Sequence, residues 1–220
     1  MIKLAKRNIA LLLLGFVSCP FALATSLTLH ITDQHGHPLE NAVVEAFSSL
    51  NINAPSPSNM IMDQQNKRFV PTLLLVQKGQ LVSFPNSDDI RHHVYSFSPA
   101  KAFELKLYAG QPKDPLAFEQ AGVVVLGCNI HDAMVGYIYV ANNNPVASSD
   151  KNGIVTLTLP ADSTVISLWH AMQQQRPEFR EQLPLAQLPT ANASGEITLS
   201  IPTQSPPPRD TFESRFHEKP

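Results

Sequence analysis

The sequence has little charge and no strong excess of either sign. Asp, Glu, Lys and Arg make up 15% of its 220 residues, against roughly 25% in average soluble domains. The formal net charge of −2 gives no electrostatic case for nucleic-acid binding, which needs a concentrated basic patch. After residue 24 no run approaches the roughly 20 apolar residues of a membrane-spanning helix. We therefore expect no nucleic-acid partner and no membrane span.

Cysteine is nearly absent: the chain has two, and Cys19 lies in a segment at the beginning of the chain that is expected to be cleaved off. A basic start and a short apolar run precede Ala22-Leu23-Ala24, which has the small-x-small pattern of a cleavage site. We predict that residues 1–24 are a cleaved signal peptide and that the protein is periplasmic; lipid attachment at Cys19 is the alternative. The mature chain then holds Cys128 alone. Because exported cysteines usually pair, a lone one indicates an intermolecular bond, a buried thiol or a metal ligand.

Helical periodicity is also missing, whereas period-two alternation recurs throughout. With 19 prolines against nine glycines, this indicates a loop-rich, all-β protein. Residues 51–65, rich in Pro, Asn, Ser and Gln, are predicted as a linker, and residues 202–220 as a disordered tail. The predicted strands lie near residues 27–31, 42–47, 73–76, 81–84, 93–97, 123–127, 135–140, 155–159, 164–169 and 197–201.

One short segment carries the chemistry. Cys128, His131 and Met134 form a C-x2-H-x2-M arrangement, and His92-His93 lies on a predicted strand 36 residues before the cysteine. A thiolate, two imidazoles and a weak axial thioether are the ligands of a mononuclear blue-copper site. A short loop between two strands can bring Cys, His and Met to one point, and a neighbouring strand must supply the fourth ligand.

The segment from Phe69 to Val140 resembles the cupredoxins of the plastocyanin and amicyanin type. The matching stretches are Phe69-Val70-Pro71, Val76-Gln77-Lys78-Gly79, Val82-Ser83-Phe84-Pro85-Asn86, His92-His93-Val94 and Cys128-x2-His131-x2-Met134-Val135-Gly136-Tyr137-Ile138-Tyr139-Val140. The compact loop is shared with amicyanins, and exported bacterial methylamine-utilisation or plastocyanin-like proteins look similar over most of the chain. The resemblance implies a Greek-key β-sandwich that binds one copper ion, cycling between Cu(I) and Cu(II).

The resemblance also implies a ligand for each position of the motif. Cys128, His131 and Met134 are the expected loop ligands, with His131 as the electron exit. Cupredoxins usually read His-Asn-Val at the upstream position, so alignment on Val94 makes His92 the ligand and leaves His93 where a bracing asparagine is expected. His93 is the alternative ligand. Asp88, Asp89 and Asp132 are interpreted as surface charges at the metal-bearing end.

The flanking segments show a second, looser resemblance, to the carboxypeptidase-regulatory-like sandwich. It depends on Thr32-Asp33, Gly36-His37-Pro38-Leu39 and Ala42-Val43-Val44, together with Asp150, Gly153, Leu157 and Leu159-Pro160. We expect residues 25–50 and 142–201 to form this outer β-sandwich, with a cupredoxin domain at residues 51–141 inserted between them. A single elongated β domain is the alternative.

These observations predict an electron carrier that is not an enzyme. The mature chain lacks the further Cys and His residues of a multicopper oxidase, and one thiolate cannot build a dinuclear copper centre. The expected partner is a redox protein, a dehydrogenase or a cytochrome. Its identity stays open, since a ligand loop shared with amicyanins does not imply a shared partner. Copper storage, delivery or sensing without electron transfer is the alternative function. A third interpretation is an adhesive sandwich with a vestigial metal site.

Overall fold

The structure, a computed structural model, describes residues 25–49, 58–112 and 114–204. The predicted signal peptide, the first half of the predicted linker and residues 205–220 of the predicted tail lie outside these ranges. Strands dominate the described residues, which include no α-helix and only one 3-10 turn, Leu185–Gln187. None of their helical segments has the length and apolar character needed to cross a bilayer. The all-β expectation is confirmed.

Seventeen strands are present in the described part of the chain. The first nine are β1 (Thr25–Thr32), β2 (Val43–Ala46), β3 (Asn59–Ile61), β4 (Asp63–Gln65), β5 (Arg68–Val70), β6 (Leu73–Gln77), β7 (Leu81–Ser83), β8 (His92–Ser98) and β9 (Lys101–Tyr108). The others are β10 (Leu116–Ala117), β11 (Gly122–Cys128), β12 (Val135–Ala141), β13 (Val146–Ser148), β14 (Ile154–Leu159), β15 (Val165–Trp169), β16 (Glu181–Pro184) and β17 (Glu196–Ser200).

The central strands form a sandwich around one apolar core. A five-stranded sheet has the order β6-β12-β11-β8-β9, and opposite it lie the sheet β10-β7-β3 and the hairpin β4-β5. Strands β6 and β12 pair in parallel, whereas β12, β11, β8 and β9 are antiparallel neighbours. Alternate residues of β11 point into the core, so Val124, Leu126 and Cys128 are all buried there. The apolar alternation read from the sequence is therefore the inward face of this sandwich.

The flanking strands form two further sheets that share a second core. Their orders are β14-β1-β17 and β13-β2-β15-β16. Leu29 and Ile31 of the first sheet are fully buried in the same apolar cluster as Val44 and Ile166 of the second. The chain thus enters these sheets before the central strands and returns to them afterwards. The expected likeness to a carboxypeptidase-regulatory-like sandwich remains a prediction.

Parts of the irregular segments expected from the sequence are ordered. The second half of the predicted linker holds β3 and β4, which pair with β7 and β5; strands of three residues are too short to show a period. Order also continues beyond residue 202, where the predicted tail begins, because the Thr203 backbone N–H donates to Gln34 Oε1 at 2.8 Å. Strand β9 was not expected from the sequence, and it forms the edge of the five-stranded sheet beside β8.

A third apolar cluster joins the two sets of sheets. Val123 and Tyr139, on the face of the five-stranded sheet that points away from the central core, pack with Val43 of β2 and Trp169 of β15. The Trp169 ring lies 6.0 Å from that of Tyr139 and 5.5 Å from that of Tyr137. The flanking sheets therefore cover part of the outer face of the central sheet.

Candidate metal centre

Two adjacent strands and one loop assemble the site. Cys128 ends β11, His92 begins β8, and these strands pair with Cys128 opposite Val94. The loop of residues 129–134 leads into β12. It is held by two backbone bonds, from Asn129 N–H to the His93 carbonyl at 3.2 Å and from Met134 N–H to the His131 carbonyl at 2.9 Å. The loop between two strands expected from the sequence is present, and its register brings His131 back over the cysteine.

Three of the expected ligands converge. Cys128 Sγ lies 3.7 Å from His92 Nδ1 and 3.8 Å from His131 Nδ1. Among the described residues, His92, Cys128 and His131 form the one group of three or more His, Cys, Asp or Glu side chains whose ligand atoms meet, all within 4.8 Å of one another. His92 is fully buried and Cys128 is 3% exposed, while His131 is half-buried. The arrangement opens to solvent on the His131 side.

Met134, the fourth expected ligand, is buried in the central apolar core. It is 1% exposed and belongs to the core cluster that also contains Cys128 and Phe69. The structure therefore places the fourth expected ligand in the same buried environment as the thiol. Ile130, next to His131 on the loop, is by contrast 46% exposed.

The two neighbouring histidines point in different directions. The pairing of β8 with β9 has an irregularity between His92 and Val94, a feature that re-aims side chains. The His92 ring lies 5.1 Å from that of His131, whereas His93 Nε2 lies 2.9 Å from Glu104 Oε1 and its ring packs 6.1 Å from that of Tyr95. The structure thus brings His92 to Cys128. The bracing expected from an asparagine at position 93 is supplied in part by the His93 backbone carbonyl, which holds Asn129.

Two polar residues near the site have a supporting role that the sequence did not predict. The sequence analysis interprets Asp88 as a surface charge, but in the structure its Oδ2 lies 2.7 Å from His92 Nε2. Asn86 is 5% exposed, and its Nδ2 donates to the carbonyls of Ile90 and Tyr108 at 2.8 and 2.9 Å. Asn86 thereby fixes the loop that carries Asp88 into β8. Proximity in the sequence, four residues before the histidine, was the only available signal for Asp88.

The local electrostatics favour neutral side chains inside the site. Partial burial lowers the pKa of His131, with smaller contributions from His92 and Lys67. Tyr108, opposite His92 in the sheet, donates its hydroxyl to the Phe84 carbonyl at 2.8 Å. Burial raises the pKa of Tyr108 to about 12. At neutral pH both side chains are therefore uncharged, and an imidazole must be neutral to bind a metal through nitrogen.

The donor set fits a first-row transition metal ion. Bonds of about 2.3 Å to sulfur and about 2.0 Å to nitrogen, as zinc makes, separate the donor atoms of a trigonal site by about 3.7 Å. The two Sγ–Nδ1 distances, 3.7 and 3.8 Å, match this separation. Two imidazoles and one thiolate, with the Met134 thioether in the same buried core cluster as the thiol, are donors typical of blue copper, whereas structural zinc sites take four ligands of the Cys and His type. The residues present fit copper.

The comparisons with known proteins give likenesses in the fold. No protein-family model matches the sequence, and no curated protein matches it. Among solved structures, the purple cupredoxin of Nitrosopumilus maritimus is 22% identical, with a TM-score of 0.33, over 38% of this chain and 99% of its own. A reduced single-site variant of amicyanin is 21% identical, also with a TM-score of 0.33, over 40% of this chain and 86% of its own.

These likenesses are to cupredoxins, and they cover less than half of this chain. A copper-containing nitrite reductase from Thermus scotoductus SA-01 is also similar, at 22% identity and a TM-score of 0.37, over 43% of this chain. This chain spans only a quarter of that reductase chain. At such identities and TM-scores these likenesses carry no argument about activity. What the candidate metal centre can do rests on the geometry of its own residues.

Proposed function

We propose that this chain is a periplasmic blue-copper protein that carries single electrons between redox partners. The observation that carries the proposal is the convergence of Cys128 Sγ with the Nδ1 atoms of His92 and His131. His92, Cys128, His131 and Met134 are the proposed ligands of one mononuclear site. The bound copper would supply one-electron chemistry, Cu(II) plus one electron giving Cu(I).

The protein's own part is to hold the donors in one geometry. Cys128 and His92 sit on paired strands, and the short loop is tied at both ends by backbone hydrogen bonds. A site held in this way needs little rearrangement between oxidation states. Its buried thiol and thioether are kept away from water by the surrounding core.

Exchange with a partner is proposed to occur through His131. This ring is half-buried and stands beside the exposed Ile130, so an apolar contact could bring a partner close to a ligand. The partner would be a dehydrogenase or a cytochrome. The described residues offer a single group of His, Cys, Asp and Glu that could hold a metal, so one mononuclear site is proposed.

A visible absorption spectrum tests the proposal. Mature protein, from Thr25 onward, mixed with one equivalent of Cu(II) should develop an intense thiolate-to-copper band that a mild reductant bleaches reversibly. Cys128→Ser should abolish the band, because no other thiol remains in the mature sequence. His92→Ala should also abolish it or shift it strongly.

His93→Ala is the matched control, since it removes an adjacent imidazole that faces Glu104 instead of the thiol. It should retain the band. A pale spectrum, or equal copper binding without Cys128, would contradict the proposal. Rapid loss of copper on reduction would instead favour a protein that stores or delivers the metal.

A further inference from the structure

One carboxylate contacts the side of His92 that faces away from the thiol. The Asp88 Oδ2 atom lies 2.7 Å from Nε2 of His92, a ring that is fully buried. The other nitrogen, Nδ1, faces Cys128 Sγ at 3.7 Å. A neutral imidazole that offers Nδ1 to a metal carries its hydrogen on Nε2. His92 therefore donates Nε2–H to Asp88.

Asp88 is held in place by a turn of the neighbouring hairpin. Its Oδ1 accepts the backbone N–H of Asn66 at 2.6 Å, and its Oδ2 accepts that of Lys67 at 2.9 Å. Both turn residues have positive φ angles, 53° and 58°, so that two consecutive N–H groups point at one carboxylate. The Asp88 backbone N–H in turn donates to Asn86 Oδ1 at 3.1 Å. Two backbone N–H groups thus hold the Asp88 carboxylate, and Asn86 holds its backbone, before the carboxylate meets the histidine.

Three N–H groups, from the Asn66 backbone, the Lys67 backbone and the His92 ring, therefore meet the Asp88 carboxylate. A carboxylate that accepts an N–H from a ligating imidazole fixes the ring orientation and makes the metal-facing nitrogen a stronger donor. A stronger donor stabilises the more highly charged ion, Cu(II), more than Cu(I).

We propose that Asp88 is a positioning residue of the copper site, which orients His92 and lowers the reduction potential. This inference rests on the proposed blue-copper function. Asp88 acts through His92 and does not itself touch the metal. It connects the hairpin β4-β5 to a ligand, so the tip of this hairpin becomes part of the support of the site.

Asp88→Asn and Asp89→Asn form a matched pair for the test. Each removes one negative charge from the same loop, but Asp89 is exposed, whereas Asp88 bonds to the ligand. The measurements are Cu(II) and Cu(I) affinities by competition and the midpoint potential. Asp88→Asn should weaken Cu(II) binding by about 10- to 100-fold and Cu(I) binding less. Each tenfold differential loss raises the potential by about 59 mV. Asp89→Asn should leave both affinities and the potential near the wild-type values.

A second measurement uses the wild-type protein and does not depend on the folding of a variant. In the diamagnetic Cu(I) form, long-range ¹H–¹⁵N spectra should show His92 protonated at Nε2, with a proton that exchanges slowly with water. A rapidly exchanging Nε2 proton, or equal potentials for the two Asp variants, would overturn the role of Asp88. Absence of the thiolate band in wild-type protein would refute the blue-copper proposal itself, which is a separate result.

Discussion

At the scale of single residues, His170 is a buried histidine outside the metal centre that is held neutral. It is 6% exposed. Its Nε2 donates to the Glu40 carbonyl at 3.0 Å, and its Nδ1 accepts the Met172 backbone N–H at 3.2 Å. Protonation of Nδ1 would remove the acceptor that Met172 uses. Burial lowers the pKa of His170 below the ordinary 6.5, and the bond to Glu40 offsets part of this effect.

A lowered histidine pKa makes the folded protein less stable in acid. Between pH 6.5 and the lower folded pKa, the unfolded chain binds more protons than the native state, so stability falls as pH falls through this window. We expect His170→Asn to cost about 1–2 kcal/mol at pH 7 from lost hydrogen bonds. The difference in the free energy of unfolding between His170→Asn and the wild type should be smaller at pH 5. Urea denaturation of both proteins at pH 7 and pH 5, in the same metal state, measures this difference. A difference that stays constant or grows at pH 5 would contradict the prediction.

The residues of the candidate site differ in how far the sequence could reveal them. Cys128, His131 and Met134 are close in the chain, so their spacing alone proposed a shared ligand set. The choice of His92 over His93 came from aligning Val94 with the family pattern, and in the structure His92 Nδ1 lies 3.7 Å from Cys128 Sγ. Asp88 depends on a hairpin 21 residues away in sequence that donates two N–H groups to it. Contacts of that kind are tertiary and leave no periodic signal.

At the scale of elements, glycines flank the metal loop on β11 and β12 and face opposite sides of the sheet. A Cβ at Gly136 would lie 2.8 Å from Phe69 Cβ and 2.9 Å from its Cγ, and Phe69 is 1% exposed. A Cβ at Gly127 would lie 2.8 Å from Tyr95 Cζ and 2.9 Å from its hydroxyl oxygen. The first contact is with the rigid base of a buried ring, and the second is with the far end of a half-buried one.

The two alanine variants should therefore differ in stability. Gly136→Ala forces a buried ring and its backbone to move, so we expect a loss of about 1–3 kcal/mol. Tyr95 can swing outward, so Gly127→Ala should cost less than about 1 kcal/mol. Guanidinium denaturation followed by circular dichroism gives both values. Equal losses, or the larger loss at Gly127, would show that this account of the two faces is wrong.

The elements predicted from alternation and those missed differ in length and position. Strands of five or more residues with one buried face, such as β6, β12 and β14, carried a readable period. The segments β3, β4 and β10, of two or three residues, are too short to establish one. The edge strand β9 alternates, but its exposed charges at Glu104 and Lys106 also suit a loop. Such charges are how edge strands avoid pairing with other chains.

At the scale of the whole molecule, a buried polar network accompanies the apolar contact between the two sets of sheets. Glu45 on β2 is fully buried. Its Oε2 accepts the Tyr139 hydroxyl at 2.9 Å and lies 3.1 Å from Arg180 Nη1. Its Oε1 accepts the Asn142 backbone N–H at 2.9 Å and Asn144 Nδ2 at 2.8 Å.

Tyr139 connects this network to the metal-bearing strands. It lies on β12, five residues after Met134, and Arg180 stands 5.5 Å from the centre of its ring. Burial, together with the Glu45 carboxylate, raises the pKa of Tyr139, so its hydroxyl remains a donor in the working pH range. The two sets of sheets are therefore joined by a satisfied network as well as by apolar packing, and we expect them to unfold together.

Removing Arg180 would leave the Glu45 carboxylate buried without its cation. Breaking a buried ion pair at one partner typically costs about 3–5 kcal/mol, and the Arg180 side chain is 23% exposed, so we expect a loss of about 3 kcal/mol for Arg180→Met. Arg176→Met, at a nearby exposed position, is the control and should change stability by less than about 0.5 kcal/mol.

Trp169, the single tryptophan, lies in the contact between the sheets. Its fluorescence reports on that contact while the copper band reports on the metal site.

The unfolding midpoints reported by both signals should fall together in Arg180→Met, because β12 pairs with β11, which carries Cys128, and also contributes Tyr139 to the contact between the sheets. At zero denaturant the copper band should be unchanged, since neither Glu45 nor Arg180 reaches the ligands. A fluorescence transition that moves while the copper transition stays in place would mean that the central strands fold independently of the flanking sheets. The network would then stabilise only the flanking sheets.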